Sequence, residues 1–372
     1  MQRSLWTSVA LLSCLFVFAS AQRAAAQAVP APDAGKDATL NARPAADAAA
    51  APGNNAIQLD VVVTDKSGKP VSGLTAADFT LLDNDQPGKI LSFHAYDGAA
   101  QQPDTPVEAI VLFDTVNTDF TEVSYARQQV GNLLRQNGGH LAEPTAIYWL
   151  MNDGVQGQTE PTQDGNALAA QLDAAESRLR TVTRSAGAYG AIERFQFSVQ
   201  MLAQIAQNEA TKPGRKLLIW AGPGWPMLDA PGIDVPAKTQ QALFGDIVEL
   251  STLLREGQID LYSVSQGMPG IGTFGYESFL KGVKKANKTA PANLSLKVIA
   301  VQSGGVVVPP SNDVASSIDA CLRDANVFYT LTFEPPPADG PNQYHELKVK
   351  IDRPGLTART NTGYYDQPLG AR

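Results

Sequence analysis

Cysteine is almost absent: the 372-residue chain holds two, Cys14 and Cys321. Cys14 lies in an apolar run with the features of a removable leader, so no intramolecular disulfide is expected in the mature protein. Histidine is equally scarce. His94, His140 and His345 are far apart in sequence, and none has metal-ligand spacing. No Gly-x-Ser-x-Gly elbow, Walker loop, His-Glu-x-x-His or Cys-x-x-Cys occurs, which removes the commonest hydrolase, phosphoryl-transfer and redox chemistries. Positive charge is also short. Lys+Arg 29 against Asp+Glu 37 gives a net charge of −8, which excludes a general attraction to nucleic acid or anionic lipid. Apolar residues at 44% against 18% charged argue against global disorder and against a coiled coil. At roughly 100 to 200 residues per domain, the length allows two or three domains.

Long apolar runs are missing except at the amino terminus. Arg3 precedes the run Leu5 to Phe18 and then Ala19-Ser20-Ala21, the order of a secretory signal peptide over residues 1–21. At about 15 residues, the run falls short of the roughly 20 needed to span a bilayer, so no stable transmembrane segment is expected after cleavage. A second small-residue site, Ala24-Ala25-Ala26, leaves the cut at Ala21 or Ala26. The protein is expected to be exported, either periplasmic or extracellular. Residues 22–56 are rich in Ala and Pro and nearly devoid of large apolar side chains. Such a segment cannot offset its ordering entropy and reads as a disordered linker.

Beyond that point the chain is patterned. Ile57 to Thr64, Phe79 to Leu82 and Ile90 to Phe93 are short β runs between turn residues, giving an N-terminal β module over 57–100. Buried-strand runs then appear at Ala109 to Phe113, Ala146 to Met151, Lys216 to Trp220 and Ile259 to Val264. They alternate with helical stretches at Glu122 to Arg135, Ala167 to Arg180, Gly190 to Asn208 and Gln240 to Arg255. Strands separated by helices imply an α/β domain over 105–326, with a mainly parallel sheet covered on both faces. After the helical stretch Ser316 to Ala325, the runs Val327 to Phe333, Glu346 to Ile351 and Thr357 to Tyr364 return to β, over 327–366. Each β set is too small to stand comfortably alone, so the two are expected to pair into one small β-sandwich around the α/β insertion.

Several blocks carry a family resemblance. Val61-Val62-Val63-Thr64-Asp65, Gly68-Lys69-Pro70-Val71, Gly73-Leu74-Thr75 and Asp78-Phe79 resemble the opening of the von Willebrand factor A (VWA) related proteins of the type abundant in Acidobacteria. Ile110 to Thr118 followed by Tyr125-Ala126-Arg127 resembles their first strand and loop. Tyr344 to Val349, Arg353-Pro354-Gly355-Leu356 and Thr362-Gly363-Tyr364 resemble their closing strands. The resemblance spans roughly residues 57 to 366 and implies a VWA-like doubly wound domain in an exported protein.

It also implies a place to look for a metal. The VWA fold usually carries an Asp-x-Ser-x-Ser loop after the first strand, a Thr from a second loop and an Asp from a third, and hard oxygen ligands of this kind suit Mg²⁺. Asp114 keeps the first position, but Val116 and Thr118 occupy the next two, and an isopropyl group cannot coordinate a cation. Strand Lys216 to Trp220 runs into Ala221-Gly222-Pro223-Gly224, with no carboxylate, and no second-loop Thr stands out near Ser185 to Gly190, although Thr181 and Thr183 lie just upstream. A remnant site of Asp114, Thr118 and Asp119 holding a divalent cation weakly is one reading. The other is structural, with Asp114 and Asn117 accepting hydrogen bonds from loop and helix amides near Thr121.

Other motifs are weaker. Gly270-Ile271-Gly272-Thr273-Phe274-Gly275 formally matches a dinucleotide-binding pattern, but its glycines start six residues after Val264 and no acidic residue follows about 20 positions on. Asp153-Gly154 reads as a turn. Lys281, Lys284, Lys285 and Lys288 have helical spacing and read as a solvated face. Cys321 reads as a small buried side chain. Trp220 and Trp225 flank the glycine-rich strand end where ligands bind in open α/β sheets, so with Asn117 they mark candidate partner-contact loops. The leading expectation is a non-enzymatic protein-interaction or adhesion-type protein without a cofactor, whose partner is a protein or cell-envelope component. The alternatives are a metal-dependent adhesin or enzyme using Asp114, and surface-polymer binding by the β modules.

Overall fold

A computed structural model describes residues 56–98, 106–157, 160–175, 187–228, 235–267, 275–338 and 340–366. The leader, all but Ala56 of the linker, Thr181, Thr183 and the glycine motif up to Phe274 lie outside the described residues.

The central sheet is built from near-continuous apolar runs. Strands β5 (Val107–Asp114), β6 (His140–Met151), β9 (Arg215–Ala221) and β10 (Ile259–Val264) pair in parallel in the order β10-β9-β5-β6. Two short strands missed in the sequence, β7 (Gly154–Gly157) and β8 (Thr162–Asp164), pair antiparallel to β6. Asp153 lies in the turn that enters β7, as read.

Alternation decides which layer each side chain joins. Ile110 and Leu112 of β5, with Leu218 and Trp220 of β9, pack beneath α3 (Gly187–Glu209), α4 (Ala237–Glu256) and α5 (Leu296–Gln302). Their neighbours Val111, Phe113, Leu217 and Ile219 face the other way, onto α1 (Phe120–Leu134), α2 (Gly165–Ala175) and α6 (Val314–Asn326). The sheet is therefore doubly wound, with helices on both faces. Asp119 and Asp313 start α1 and α6 by accepting from the N–H groups of Glu122 and Ser316.

The terminal β segments interleave. β1 (Ile57–Thr64) pairs with β11 (Val327–Phe333) and β13 (Thr357–Arg359), and β11 pairs with β4 (Ile90–Asp97). The second antiparallel sheet joins β2 (Phe79–Asp83) and the short β3 (Gln86–Pro87) to β12 (Gln343–Ile351) and β14 (Gly363–Asp366). Each small sheet thus takes strands from both ends of the folded chain. Leu59, Val61, Leu81, Tyr329, Leu331 and Tyr364 form the shared core between them. The other faces of β1 and β11 reach the α/β layer, where Val62 and Phe328 pack with Ile318 and Tyr262.

Two expectations need correction. The run Thr357 to Tyr364 is not one strand: it breaks after Arg359, and its halves enter different sheets. The Lys281 to Lys288 segment is not an α-helix; only Ala286–Lys288 forms a 3-10 turn, although the four lysines are exposed. Tertiary contacts decide this, because Tyr365 donates to the Val283 carbonyl (3.0 Å) and a side chain at Gly282 would collide with the Tyr344 ring.

Candidate functional site

The C-terminal ends of the parallel strands gather the residues singled out in the sequence. Asp114 closes β5 and is fully buried. Its Oδ1 accepts from the backbone N–H groups of Val116 (3.0 Å) and Asn117 (2.8 Å), and its Oδ2 accepts from Trp220 Nε1 (3.0 Å). The Asn117 amide nitrogen bridges both oxygens (3.2 and 2.9 Å) and also donates to Ser198 Oγ on α3 (3.0 Å). Burial pushes the Asp114 carboxyl above its usual range, and the bonds from Asn117, Trp220 and Val116 oppose that shift.

A carboxylate offers about four lone-pair sites, and protein donors occupy this one on both oxygens. Thr118 is buried beside it, whereas Asp119 is exposed and committed to the start of α1. In the third loop, a Cβ at Gly222 would lie 2.8 Å from Asp114 Cβ and 2.8 Å from Thr118 Oγ1, so a side-chain carboxylate has no room there. The residues present do not fit a divalent cation. Among the described residues, no three His, Cys, Asp or Glu side chains come together as a metal-binding group. The amides that Asp114 binds belong to its own loop; Thr121 takes no part in these contacts.

The two tryptophans marked with Asn117 in the candidate contact loops are buried. Trp220 is 0% exposed and Trp225 4% exposed; the second donates Nε1 to the Leu294 carbonyl (2.8 Å) and meets the first edge-on at 5.4 Å. The two indoles thus form an inward-facing pair that braces the strand end. Among the described residues, exposed aromatic groups at this end come from the helices that begin there: Tyr189 on α3 is 83% exposed, and Phe120 on α1 is also exposed.

Beside Asn117 a groove of about 810 Å³ opens between α3, the loop after β9 and the segment leading into α5. Arg194, Tyr276, Phe279, Ser295 and Lys297 line it. Sequence reasoning missed these five because they are scattered over about a hundred positions and no local spacing ties them together. The one local pointer was the glycine- and tryptophan-rich loop after β9.

No family model matches the chain, and no curated protein matches it in sequence. Among solved structures, it is similar to the open conformation of the pilus adhesin SpaC from Lactobacillus rhamnosus GG, at 10% identity and a TM-score of 0.36, covering 87% of this chain and 50% of that one. It is similar to the manganese-loaded Plasmodium vivax TRAP protein at 8% identity and a TM-score of 0.33, covering 72% and 96%. The human COPII-coat protein Sec24c matches at 10% identity and a TM-score of 0.32, covering 71% of this chain and 44% of that one. These likenesses are distant, and the chain spans half or less of the SpaC and Sec24c chains. No helix among the described residues is long and apolar enough to cross a membrane.

Proposed function

We propose that this chain is an exported, non-enzymatic interaction protein of VWA-like build that contacts a protein or cell-envelope partner without a divalent cation. In this reading, residues 105–326 form the interaction domain, and the strands from 57–100 and 327–366 hold it as a sandwich. The contact face is the rim formed by the loops and helix starts at the C-terminal ends of the parallel strands. One observation carries the reading: both Asp114 oxygens are engaged by protein donors, and Gly222 leaves no space for a second carboxylate. The residue that would anchor a metal instead fixes the loop, the Trp220 strand end and, through Asn117, α3. A rim held this way presents its surface without waiting for an ion.

The test is crosslinking of the full chain in its native envelope, with and without EDTA, alongside Tyr189→Asp and Phe120→Asp. Crosslinked species that survive EDTA and are lost in the rim variants support the reading. Species that need Mg²⁺, or that neither variant alters, overturn it.

A further inference from the structure

We infer that the cavity between α1, α6 and β6 binds a small organic amine, a ring or short branched alkyl group carrying one ammonium, with Glu143 receiving the charge. The site lies at the end where the parallel strands start, away from the rim, and does not rest on the interaction reading.

Packing leaves the space. α1 and α6 are tied near their starts, where Tyr125 donates to the Asn312 carbonyl (3.0 Å). Between their later turns a cavity of about 160 Å³ opens over β5 and β6. Its floor is aliphatic: Val111 of β5, Val130 and Leu134 of α1 and Ile318 of α6 are buried, and Leu141 and Leu322 are half-buried beside them. A cavity of about 150 Å³ with apolar walls stays dry and takes up a benzene-sized molecule. A peptide segment is too large for it.

One lining residue breaks the apolar pattern. Leu141 and Glu143, two positions apart on β6, both line the cavity, so Glu143 takes a place in the layer that Leu141 and Ile147 fill with aliphatic side chains. Glu143 is half-buried, and burial pushes its carboxyl up to about 7. No hydrogen bond from the described residues offsets that burial. Only the charge of Arg215 opposes it, and that guanidinium is committed to Asp260 and to the Asp324 carbonyl. The other two acidic or basic chains of the lining, Asp319 and Arg323, pair with each other (2.8 Å). None of the lining residues adjoins an undescribed one in sequence. The undescribed stretches on either side of β6 in the chain, 99–105 and 158–159, contain no Lys, Arg or His.

This combination selects a ligand class. A carboxylate at the edge of a dry cavity, without a donor, is costly to keep and gains most from a cation that brings N–H groups. A divalent metal needs several oxygen ligands, and the walls supply none. An organic ammonium answers both halves of the site: its body covers the aliphatic floor and its N–H groups donate to Glu143. The side-chain amides of Asn137 and Asn326, also in the lining, offer acceptors for the remaining N–H groups. A neutral alcohol would fill the space but leave the charge unpaired, and an anion would be repelled.

The test is calorimetric titration of the full chain with benzylamine, beside benzyl alcohol and benzoate as its neutral and anionic counterparts. Saturable one-to-one binding of benzylamine at millimolar concentration or below is expected, with weaker binding of the alcohol and none of benzoate. Glu143→Gln should weaken benzylamine about tenfold or more and leave the alcohol unchanged. Leu322→Trp, which fills the cavity from its half-exposed side, should abolish both. Lys285→Glu, an exposed change elsewhere, should alter neither. Melting curves check that each variant folds, and if Leu322→Trp does not, the contrast between amine and alcohol in Glu143→Gln decides alone. No saturable binding of benzylamine, equal affinity for the alcohol or benzoate, or an affinity indifferent to Glu143→Gln or to a folded Leu322→Trp overturns the inference.

Discussion

The two ends of the parallel sheet use charge in opposite ways. At the end where the strands start, Arg215 donates Nε and a terminal nitrogen to Asp260 Oδ2 (2.9 and 2.6 Å), reaches the Asp324 carbonyl (2.7 Å) and lies over the Phe328 ring at 4.5 Å. Arg359 of β13 pairs with Asp324 (2.6 Å), Tyr262 donates to the same carboxylate (2.9 Å), and Thr330 donates to Asp60 of β1 (3.1 Å). This cluster is closed, and it joins the α/β layer to the sandwich where the chain crosses between them. At the strand ends the buried carboxylate of Asp114 is held by the amides of its own loop, by the Asn117 side chain and by Trp220 of β9. Ion pairs therefore hold segments together at one end, while neutral donors hold the buried carboxylate at the other.

Removing residues 327–372 should break this arrangement most severely. β1 and β2 would lose the partners they find in β11 and β12, exposing their edges and apolar faces, and the truncated protein should aggregate. A soluble truncation with an unchanged melting temperature would mean that the closed end is not a joint. Arg215→Ala comes next. It leaves Asp260 buried without its guanidinium and should cost about 3–5 kcal/mol in denaturant unfolding; a loss below about 1 kcal/mol would make the network incidental.

Asp114→Ala sharpens the contrast at the other end. Buried Trp220 Nε1 and the loop amides lose their acceptor, for a cost of about 1–3 kcal/mol. Wild type and variant alike should show no saturable Mg²⁺ or Mn²⁺ binding by calorimetry at millimolar concentration. A stoichiometric site in wild type that vanishes in the variant would place a cation at this end.

The smallest effect is on pH dependence. Burial pushes the Asp260 carboxyl up to about 6 against an unfolded value near 3.8, with the Arg215 charge opposing and Asp60 adding to the rise. Between those values the folded state holds a proton that the unfolded state lacks, so stability should increase as pH falls from above 6 toward 4. Glu143, raised by burial to about 7, acts in the same sense. Asp78, held at about 2 mainly by hydrogen bonds from Arg353, acts oppositely: its contribution is complete above 3.8 and is lost as pH falls toward 2. Denaturant unfolding from pH 8 to 3 checks this. Asp260→Asn should flatten the limb between pH 6 and 4, and an unchanged slope would place the titrating group elsewhere.

The legible parts of the fold were those with a short-range signature. Ile259–Val264 and Val327–Phe333 were read with their observed limits, since an apolar run bounded by polar turns marks a strand by itself. β7 and β8 were missed because edge strands of three or four polar and small residues carry no hydrophobic period. At the candidate site, Val116 and Gly222 already indicated missing ligands, because their side chains lack oxygen whatever the fold. The side-chain donors that hold Asp114, Trp220 and Asn117, gave no such sign: in sequence an indole reads equally as core or surface.

Chemistry that belongs to a single residue was fixed before folding. A chain with Val at 116 and Gly at 222 has no side-chain oxygen there to give a metal, and the alternating periods required strands and helices in a set order. The tertiary structure decided what depends on meeting across the chain: the pairing of residues 57–64 with 327–333, the turning inward of Trp220 and Trp225, and the convergence of Arg194 with Lys297. These outcomes depend on distances between residues tens to hundreds of positions apart. Such distances are set when the layers pack, and no local pattern of side chains encodes them.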